Sequence, residues 1–324
     1  MPIAHSARRL LVASAALAAC VPPTGAPAPT ARPLVIAHRG ASAHRPEHTL
    51  EAYDLAITMG ADYVEPDLVI TKDGVLVARH ENEIGGTTDV ATRFPERRTT
   101  KTIDGQSVTG WFTEDFTLAE LRTLRARERL PMLRSTAYDG RFAVPTFDEV
   151  LALVARRARE TGRAIGVYPE TKHPSYFRAL GLPLEEPLVA ALRGAGLDRA
   201  DAPVLIQSFE VGNLERLRGM TRVRLVQLMA GEGAPPDRAG GPDATTYAAM
   251  ATPAGLARVA RYAWAVGAEK RMVQPVDAQG ALLAPTTLVR DAHAAGLRVH
   301  VWTLRSEPVF LPKAYGGDAA AEWR

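Results

Sequence analysis

The residues that could carry out acid–base or metal chemistry are concentrated between Leu34 and Glu81, at the ends of three short apolar runs. They are His38, Arg39, Glu65, Asp67 and His80. Glu65 and Asp67 are two positions apart, and residues two apart on a strand share a face, so the two carboxylates should point the same way. Paired carboxylates beside a histidine suit a divalent metal ion or general acid–base catalysis.

A tight turn at Asp73-Gly74 is expected to join the last two of these runs. Gly supplies the positive φ that a two-residue type I′ hairpin turn requires. If Lys72 pairs with Val75, counting back along both strands places His80 opposite Asp67. The sequence therefore predicts that the hairpin alone brings a histidine beside the acidic pair.

Several blocks of the sequence resemble the glycerophosphodiester phosphodiesterase family, and its periplasmic branch in particular. They are HRGAS at 38–42, PEHTLEAY at 46–53, GADYVEPDLVITKDG at 60–74, RH at 79–80, TTDV at 87–90, DFTLAEL at 115–121, VYPETK at 167–172 and VHVWTLRSE at 299–307. The blocks occur in the order that the family would have them and cover nearly all of the chain after residue 34. The resemblance implies an α/β protein built as a TIM (β/α)₈ barrel with a small inserted subdomain over the mouth of the active site.

Strand-like and helix-like runs alternate along the chain, as in a parallel α/β protein. Seven parallel strands are predicted, beginning at Leu34, Tyr63, Ala164, Val204, Arg224, Met272 and Arg298. Residues 81–145 break the alternation and are the expected insertion within a barrel domain of residues 34–324. The resemblance implies one more helix and a last strand after Glu307, which residues 308–324 do not contain. Either the sequence is truncated or the protein tolerates an open barrel. We expect truncation, because an unclosed barrel exposes unpaired strand edges.

Barrel enzymes place their chemistry at the carboxyl ends of strands, where the polar residues of this chain also fall. The resemblance carries metal ligation over to Glu65, Asp67 and Glu170, hard oxygen ligands for one divalent cation, with Ca²⁺ favoured over Mg²⁺. The alternative is three solvated or ion-paired carboxylates. His38 and His80 are the expected general acid and base, because an imidazole can adopt either protonation state near neutral pH.

Four further side chains are candidates for binding substrate. Arg39 offers a bidentate fork for a phosphodiester and Lys172 a compact charge, although both could instead form salt bridges that orient the carboxylates. Phe209 and Trp302 could line a glycerol pocket or could simply pack in the core. Glu47 is expected to hydrogen-bond the His38 loop or to cap the next helix, and His44 and His48 are interpreted as structural.

The N-terminus predicts export. Arg8 and Arg9 precede an apolar run too short to span a bilayer, and Leu17-Ala18-Ala19-Cys20 resembles a bacterial lipobox. Residues 1–20 are therefore expected to be a lipoprotein signal peptide, after which a lipidated Cys20 would anchor the protein to a membrane in the periplasm. The alternative is an ordinary leader cleaved nearby. Residues 21–33 are rich in Pro and Ala and indicate an extended tether.

The sequence thus indicates a metal-dependent enzyme that hydrolyses glycerophosphodiesters, such as glycerophosphocholine, to sn-glycerol 3-phosphate and an alcohol. Two alternatives are a related barrel phospholipase or sphingomyelinase D, and a non-catalytic periplasmic binding protein on a decayed barrel. The net charge of +3 and the absence of a basic run argue against a nucleic-acid partner.

Overall fold

The computed structural model describes Met1 and residues 32–323. The predicted signal peptide and most of the predicted tether lie outside the described residues, and both stay predictions. Residues 34–324 form one compact unit by their contacts. In the described part of this unit, no helix is both long and apolar enough to cross a membrane.

The described residues contain twelve β-strands and twelve α-helices. The strands are β1 (Ile36–His38), β2 (Tyr63–Glu65), β3 (Asp67–Ile70), β4 (Leu76–Ala78), β5 (Thr99–Ile103), β6 (Gln106–Gly110), β7 (Gly166–Val167), β8 (Glu170–Thr171), β9 (Leu205–Ser208), β10 (Arg224–Met229), β11 (Ala265–Glu269) and β12 (Arg298–Trp302). The helices are α1 (Leu50–Thr58), α2 (Val90–Arg93), α3 (Leu118–Leu121), α4 (Phe147–Thr161), α5 (Pro174–Ala179), α6 (Glu185–Gly194), α7 (Val211–Met220), α8 (Tyr247–Met250), α9 (Pro253–Val259), α10 (Lys270–Val273), α11 (Leu288–Ala294) and α12 (Ala319–Trp323). Short 3₁₀ helices are found at Pro95–Arg97, Thr113–Asp115, Pro236–Arg238, Pro308–Phe310 and Lys313–Tyr315.

A parallel sheet forms the centre of the fold. Its strands are ordered β1-β2-β7 in one part and β12-β11-β10-β9-β8-β3-β4 in the other, with only β4 antiparallel to its neighbour. Pro66 alone separates β2 from β3, and Tyr168 and Pro169 separate β7 from β8. β2 pairs with β7, and β3 pairs with β8. We therefore treat β2 and β3 as one long strand, and β7 and β8 as another, each interrupted at a proline, which cannot donate to the ladder.

Counting each interrupted strand once gives seven parallel strands in the described residues, alternating with helices. The predicted α/β barrel architecture is therefore confirmed. In this part of the chain β1 and β12 do not pair with each other, so the barrel is not closed. The main apolar core lies between the sheet and helices α1, α4, α6 and α7.

The prediction of a strand at Met272–Val276 is wrong, since the first two of these residues belong to helix α10. The sheet strand is instead β11, an alanine-containing segment that precedes this position in the chain. Both neighbours, β10 and β12, pair with β11 and bury it, and this tertiary context overrides the local helix propensity of alanine. The carboxylate of Glu269 then accepts the Arg271 N–H at 3.1 Å and caps the short helix α10.

The predicted register of the β3–β4 hairpin is also wrong, by one residue. Leu68 pairs with Ala78, and the Arg79 N–H donates to the carbonyl of Asp67 at 2.9 Å, so Arg79 rather than His80 lies opposite Asp67. The cause is a three-residue loop instead of a two-residue turn: Gly74, at φ +81°, occupies the left-handed position that ends such a loop.

Between β4 and α4 the chain leaves the sheet and forms α2, the antiparallel β5–β6 hairpin and α3. Two hydrogen bonds hold this segment against the β3–β4 loop. The Lys72 N–H donates to the carbonyl of Phe116 at 2.9 Å, and the Leu118 N–H donates to the carboxylate of Asp73 at 2.9 Å. The chain then returns to the sheet through α4, whose first turn is closed by a capping box of Thr146 and Glu149.

Candidate active site

Three carboxylates meet at the interrupted strands. Glu65 ends β2, Asp67 begins β3 and Glu170 begins β8, directly beside Asp67 in the parallel register. One oxygen from each side chain lies within 4.8 Å of the others, and all three residues are buried. Like charges so close together in a dry site repel one another, so the cluster requires positive charge or protons.

The protein supplies part of this compensation. The backbone N–H of Arg39 and the side-chain amide of Gln207 each donate to Glu65 at 2.9 Å. The Nζ of Lys172 lies 3.0 Å from Glu170. These contacts hold two of the carboxylates in place from both sides of the cluster.

The pKa values show that the compensation is incomplete. Burial and the neighbouring Asp67 raise the pKa of Glu65 well above its usual range. Burial also raises the pKa of Glu170 to about 8, even though Lys172 lowers it. Burial acts in the same direction on Asp67, but the hydrogen bond with His48 and the nearby charges of His48, His80 and Lys172 together outweigh it, and the pKa of Asp67 falls well below its usual range.

This donor set fits a divalent metal ion. The Oδ1 atom of Asp67 is buried and has no hydrogen-bond partner among the described residues, which is costly for an ionised oxygen. A hard cation between Glu65, Asp67 and Glu170 would satisfy this oxygen and favour the ionised forms of all three side chains.

Two histidines lie near the ends of the strands that pair with β2 and β3. His38 ends β1 and His80 follows β4. Burial and the charge of Arg39 lower the pKa of His38 well below its usual range, while burial and the charge of Lys172 lower the pKa of His80 to about 4. Both imidazoles are therefore neutral at pH 7. An anionic substrate beside them would raise both pKa values and make the protonated form of one accessible.

Arg39 lies in the left-handed region, at φ 63°, and its guanidinium is buried between Glu47 at 3.2 Å and Asp67 at 3.4 Å. Glu47 also accepts a hydrogen bond from Arg129 at 2.9 Å. Of the two roles considered for Glu47, the structure thus shows contact with the His38 loop rather than a helix cap. The next residue, Gly40, is at φ +83°, and an added Cβ would lie 2.7 Å from the backbone of Ala52 in α1, so this loop is seated tightly on the helix.

His48, interpreted from the sequence as structural, contacts the carboxylate cluster. Its Nε2 lies 2.9 Å from Oδ2 of Asp67 and its Nδ1 lies 2.7 Å from the hydroxyl of Tyr53. The ring is fully buried, and its hydrogen bond with Asp67 orients this candidate metal ligand. The sequence analysis interprets His48 only as structural and does not single out Gln207, because nothing in a single sequence shows that these residues contact Asp67 and Glu65.

Phe209 and Trp302 contact each other edge to face, with ring centroids 5.7 Å apart. Phe209 lines a cavity of about 90 Å³ beside the carboxylates, together with Glu170, Lys172 and Tyr247. Trp302 is not among the residues that line this cavity, and it donates its indole N–H to the carbonyl of Gly267 at 2.9 Å. The two aromatic residues therefore differ: Phe209 borders the cavity, and Trp302 contacts Phe209.

Comparisons with known proteins identify the family. Residues 38–323 match the glycerophosphoryl diester phosphodiesterase family. Glycerophosphodiester phosphodiesterase GDPD6 of Arabidopsis thaliana is 35% identical, over 93% of this chain and 82% of its own length. The glycerophosphodiester phosphodiesterase of Haemophilus influenzae is 31% identical, over 85% of this chain and 79% of its own length.

Solved structures of such proteins share the fold. A glycerophosphoryl diester phosphodiesterase of Silicibacter pomeroyi superposes with a TM-score of 0.61 at 24% identity, over 85% of this chain and 84% of that one. A phosphodiesterase of Oleispira antarctica, in complex with the product sn-glycerol-3-phosphate, gives 0.56 at 21% identity, over 88% and 90%. From the family match and the identities of its relatives, this chain belongs to the glycerophosphoryl diester phosphodiesterase family.

Proposed function

We propose that this protein is a metal-dependent phosphodiesterase that hydrolyses glycerophosphodiesters to sn-glycerol 3-phosphate and an alcohol. The observation that carries the proposal is the buried cluster of Glu65, Asp67 and Glu170, whose ligand atoms lie within 4.8 Å of one another. One oxygen of Asp67 has no hydrogen-bond partner in the part of the chain that the structure describes. The family and the named relatives supply the substrate class.

The two alternatives have less support. The family match and the relatives named above favour a glycerophosphodiesterase over a phospholipase or sphingomyelinase D. A decayed, non-catalytic barrel has no need for three buried carboxylates at one point, since such a cluster destabilises a fold that does not bind a cation there.

Glu65, Asp67 and Glu170 would hold the metal, which supplies Lewis-acid stabilisation of the phosphate charge when bound. We propose Ca²⁺ rather than Mg²⁺. Ca²⁺ accepts many carboxylate oxygens in a flexible shell, whereas Mg²⁺ usually keeps several waters and binds through one or two carboxylates.

The side chains of the site then divide the remaining work. Arg39 and Lys172 place positive charge where the phosphodiester would lie, and the ion pairs with Glu47 and Glu170 fix their positions. Phe209 presents an apolar face to the cavity, suited to the C–H surface of glycerol. One of His38 and His80 removes the proton from the attacking hydroxyl, and the other donates a proton to the departing alkoxide.

We propose that the glycerol 2-hydroxyl is the nucleophile. Its oxygen forms a bond to phosphorus while the bond from phosphorus to the head-group oxygen breaks, giving a cyclic phosphate and the alcohol. Water then opens the ring, and the two histidines exchange roles, so that the proton balance of the first step is restored.

Removing the metal should abolish activity and destabilise the fold, because three buried carboxylates would then repel one another. We expect EDTA to eliminate turnover of glycerophosphocholine and to lower the Tm, and excess Ca²⁺ to restore both. Asp67→Asn should weaken terbium luminescence at the site, whereas Glu215→Gln, on the outer helix α7, should leave it unchanged.

The same chelated protein should lose stability as pH rises from about 4.5 to about 8. Because burial raises the pKa of Glu170 to about 8, the folded state holds a proton in this range that the unfolded state has released. Glu170→Gln should reduce this slope in urea titrations. Full activity in EDTA, or an unchanged slope in Glu170→Gln, would contradict the assignment of these ligands.

His38→Ala and His80→Ala should each lower kcat by roughly 10²- to 10⁴-fold, since each removes a proton-transfer group. Metal binding, followed by terbium luminescence, should remain. His293→Ala, on the exposed face of α11, is the matched control and should keep wild-type kcat. If either active-site variant retained wild-type turnover, the acid–base role of that histidine would be excluded.

A cyclic glycerophosphate should accumulate transiently in single-turnover reactions, where ³¹P NMR or mass spectrometry can detect it. In ¹⁸O-labelled water the label should enter only when this intermediate is opened. Substrate lacking the 2-hydroxyl should not react. Hydrolysis of such a substrate at the normal rate would show direct attack by water.

We also propose that the protein is exported and lipidated at Cys20. The support is the arginine pair, the short apolar run and the lipobox-like Leu17-Ala18-Ala19-Cys20. Expressed in full in a bacterial host, the protein should incorporate radiolabelled palmitate and fractionate with membranes, and Cys20→Ser should do neither. Equal labelling of the two forms would disprove lipidation at this residue.

A further inference from the structure

Four side chains outside the metal cluster form a continuous line from the inserted segment to His80. Nδ1 of His80 lies 2.8 Å from Oε1 of Glu81, and the other oxygen of Glu81 lies 2.8 Å from Nε2 of His173. Nδ1 of His173 in turn lies 2.6 Å from Oδ2 of Asp104. We call these residues the His80–Asp104 chain.

The backbone conformation at the outer end of this chain is unusual. Asp104 and Gly105 form the turn of the β5–β6 hairpin, and both have positive φ, 48° and 78°, as a type I′ turn requires. His173 is also in the left-handed region, at φ 47°, directly before Pro174 and α5. Left-handed residues other than glycine are uncommon and tend to cluster at functional sites. Here two of them are joined side chain to side chain.

His173 lies between two carboxylates, and its charge state follows from them. Burial opposes protonation, but the hydrogen bonds with Asp104 and Glu81 outweigh it and raise the pKa of His173 to about 9. At neutral pH both of its ring nitrogens therefore carry protons and donate, one to each carboxylate.

Glu81 is consequently held as an acceptor for both histidines. Although burial favours its neutral form, the hydrogen bonds from His173 and His80 hold its pKa well below the usual range. A carboxylate at this position accepts the Nδ1–H of His80, which leaves the lone pair of Nε2 as the basic site. A carboxylate on one nitrogen is a general means of fixing the tautomer and orientation of a histidine that acts through the other.

We infer that His173 is a positioning residue: it fixes Glu81 so that His80 keeps its proton on Nδ1, and Asp104 couples this arrangement to the β5–β6 hairpin. The inference rests on the proposed acid–base role of His80. It assigns the inserted segment a part in preparing the catalytic histidine, in addition to any contact with substrate.

The contacts could instead be a surface ion pair without catalytic effect, since Glu81 is 45% exposed and such pairs usually contribute little to stability. The two possibilities predict different kinetics. An ion pair that merely fastens the hairpin would change stability or KM, whereas a positioning residue changes kcat and the pH profile through His80.

The test compares His173→Ala, Asp104→Ala and Asp104→Asn with the wild-type protein on glycerophosphocholine, with Ca²⁺ saturating. We expect His173→Ala to lower kcat by about 10- to 100-fold, the effect typical of losing such an orienting partner, with KM within about 2-fold of wild type. Without His173, Glu81 is no longer held against His80. Because the hydrogen bond with Glu81 raises the pKa of His80, the limb of the pH profile that reports His80 should then move to lower pH. Asp104→Ala should change kcat in the same direction but less, and Asp104→Asn, which keeps an acceptor oxygen, should recover part of the loss.

A double-mutant cycle separates this inference from the proposed function. In a His80→Ala background His173→Ala should cause no further loss of residual activity, because its effect passes through His80. Arg93→Ala, which breaks the exposed ion pair with Asp89 in the same inserted segment, is the matched control and should keep wild-type kinetics.

Two results would overturn the inference: wild-type kcat and pH profile in His173→Ala, or an equal loss from His173→Ala with and without His80. If His80→Ala itself were fully active, the acid–base assignment would fail instead. If circular dichroism shows that His173→Ala folds poorly, the folded variants Asp104→Ala and Asp104→Asn decide the question. A higher kcat in Asp104→Asn than in Asp104→Ala supports the role of the His80–Asp104 chain. Identical kinetics in the two variants refute it.

Discussion

The repulsion among Glu65, Asp67 and Glu170 is the constraint on which the rest of the site depends. The fold brings three acidic groups within 4.8 Å of one another in a buried position and surrounds them with partial compensation. Lys172 and the Arg39 N–H each hold one carboxylate, and His48 holds another. Among the described residues one oxygen of Asp67 has no hydrogen-bond partner, and two of the carboxyl groups tend toward protonation. The site is thus built to be completed by a cation.

The positively charged groups beside the carboxylates are themselves held by ion pairs. Arg39 contacts Glu47 and Asp67, and Lys172 contacts Glu170, so the salt-bridge alternative is observed for both residues. Substrate binding by these two residues stays a prediction. A charge held by an ion pair is fixed in position and needs little reorganisation when a phosphate arrives, which is how preorganised sites stabilise a transition state. The salt bridges are therefore compatible with the proposed role in substrate binding.

The family and the α/β barrel could be predicted from the resemblance that the ordered motifs carry. Six of the seven parallel strands could be predicted from apolar runs and turn residues, because these are local signals. The hairpin register could not, since an Asp-Gly pair fits both a two-residue turn and the end of a three-residue loop, and the choice moves Asp67 from His80 to Arg79. The strand β11 was missed because pairing on both sides, which no local pattern reports, decides its conformation. His48 and Gln207 were missed for a related reason: their importance lies in contacts with residues distant in sequence.

The prolines that interrupt two adjacent strands have a consequence for how this fold can change. Pro66 and Pro169 stand at the same level of the sheet, and the carbonyl of each accepts a backbone N–H from the next strand, of Glu170 and of Gln207 respectively, at 2.9 Å. The candidate metal ligands are thus carried by the strands of the barrel, whereas the inserted segment belongs to a connection outside the sheet. Changes of length or sequence in that connection can therefore leave the strands that carry these ligands in place.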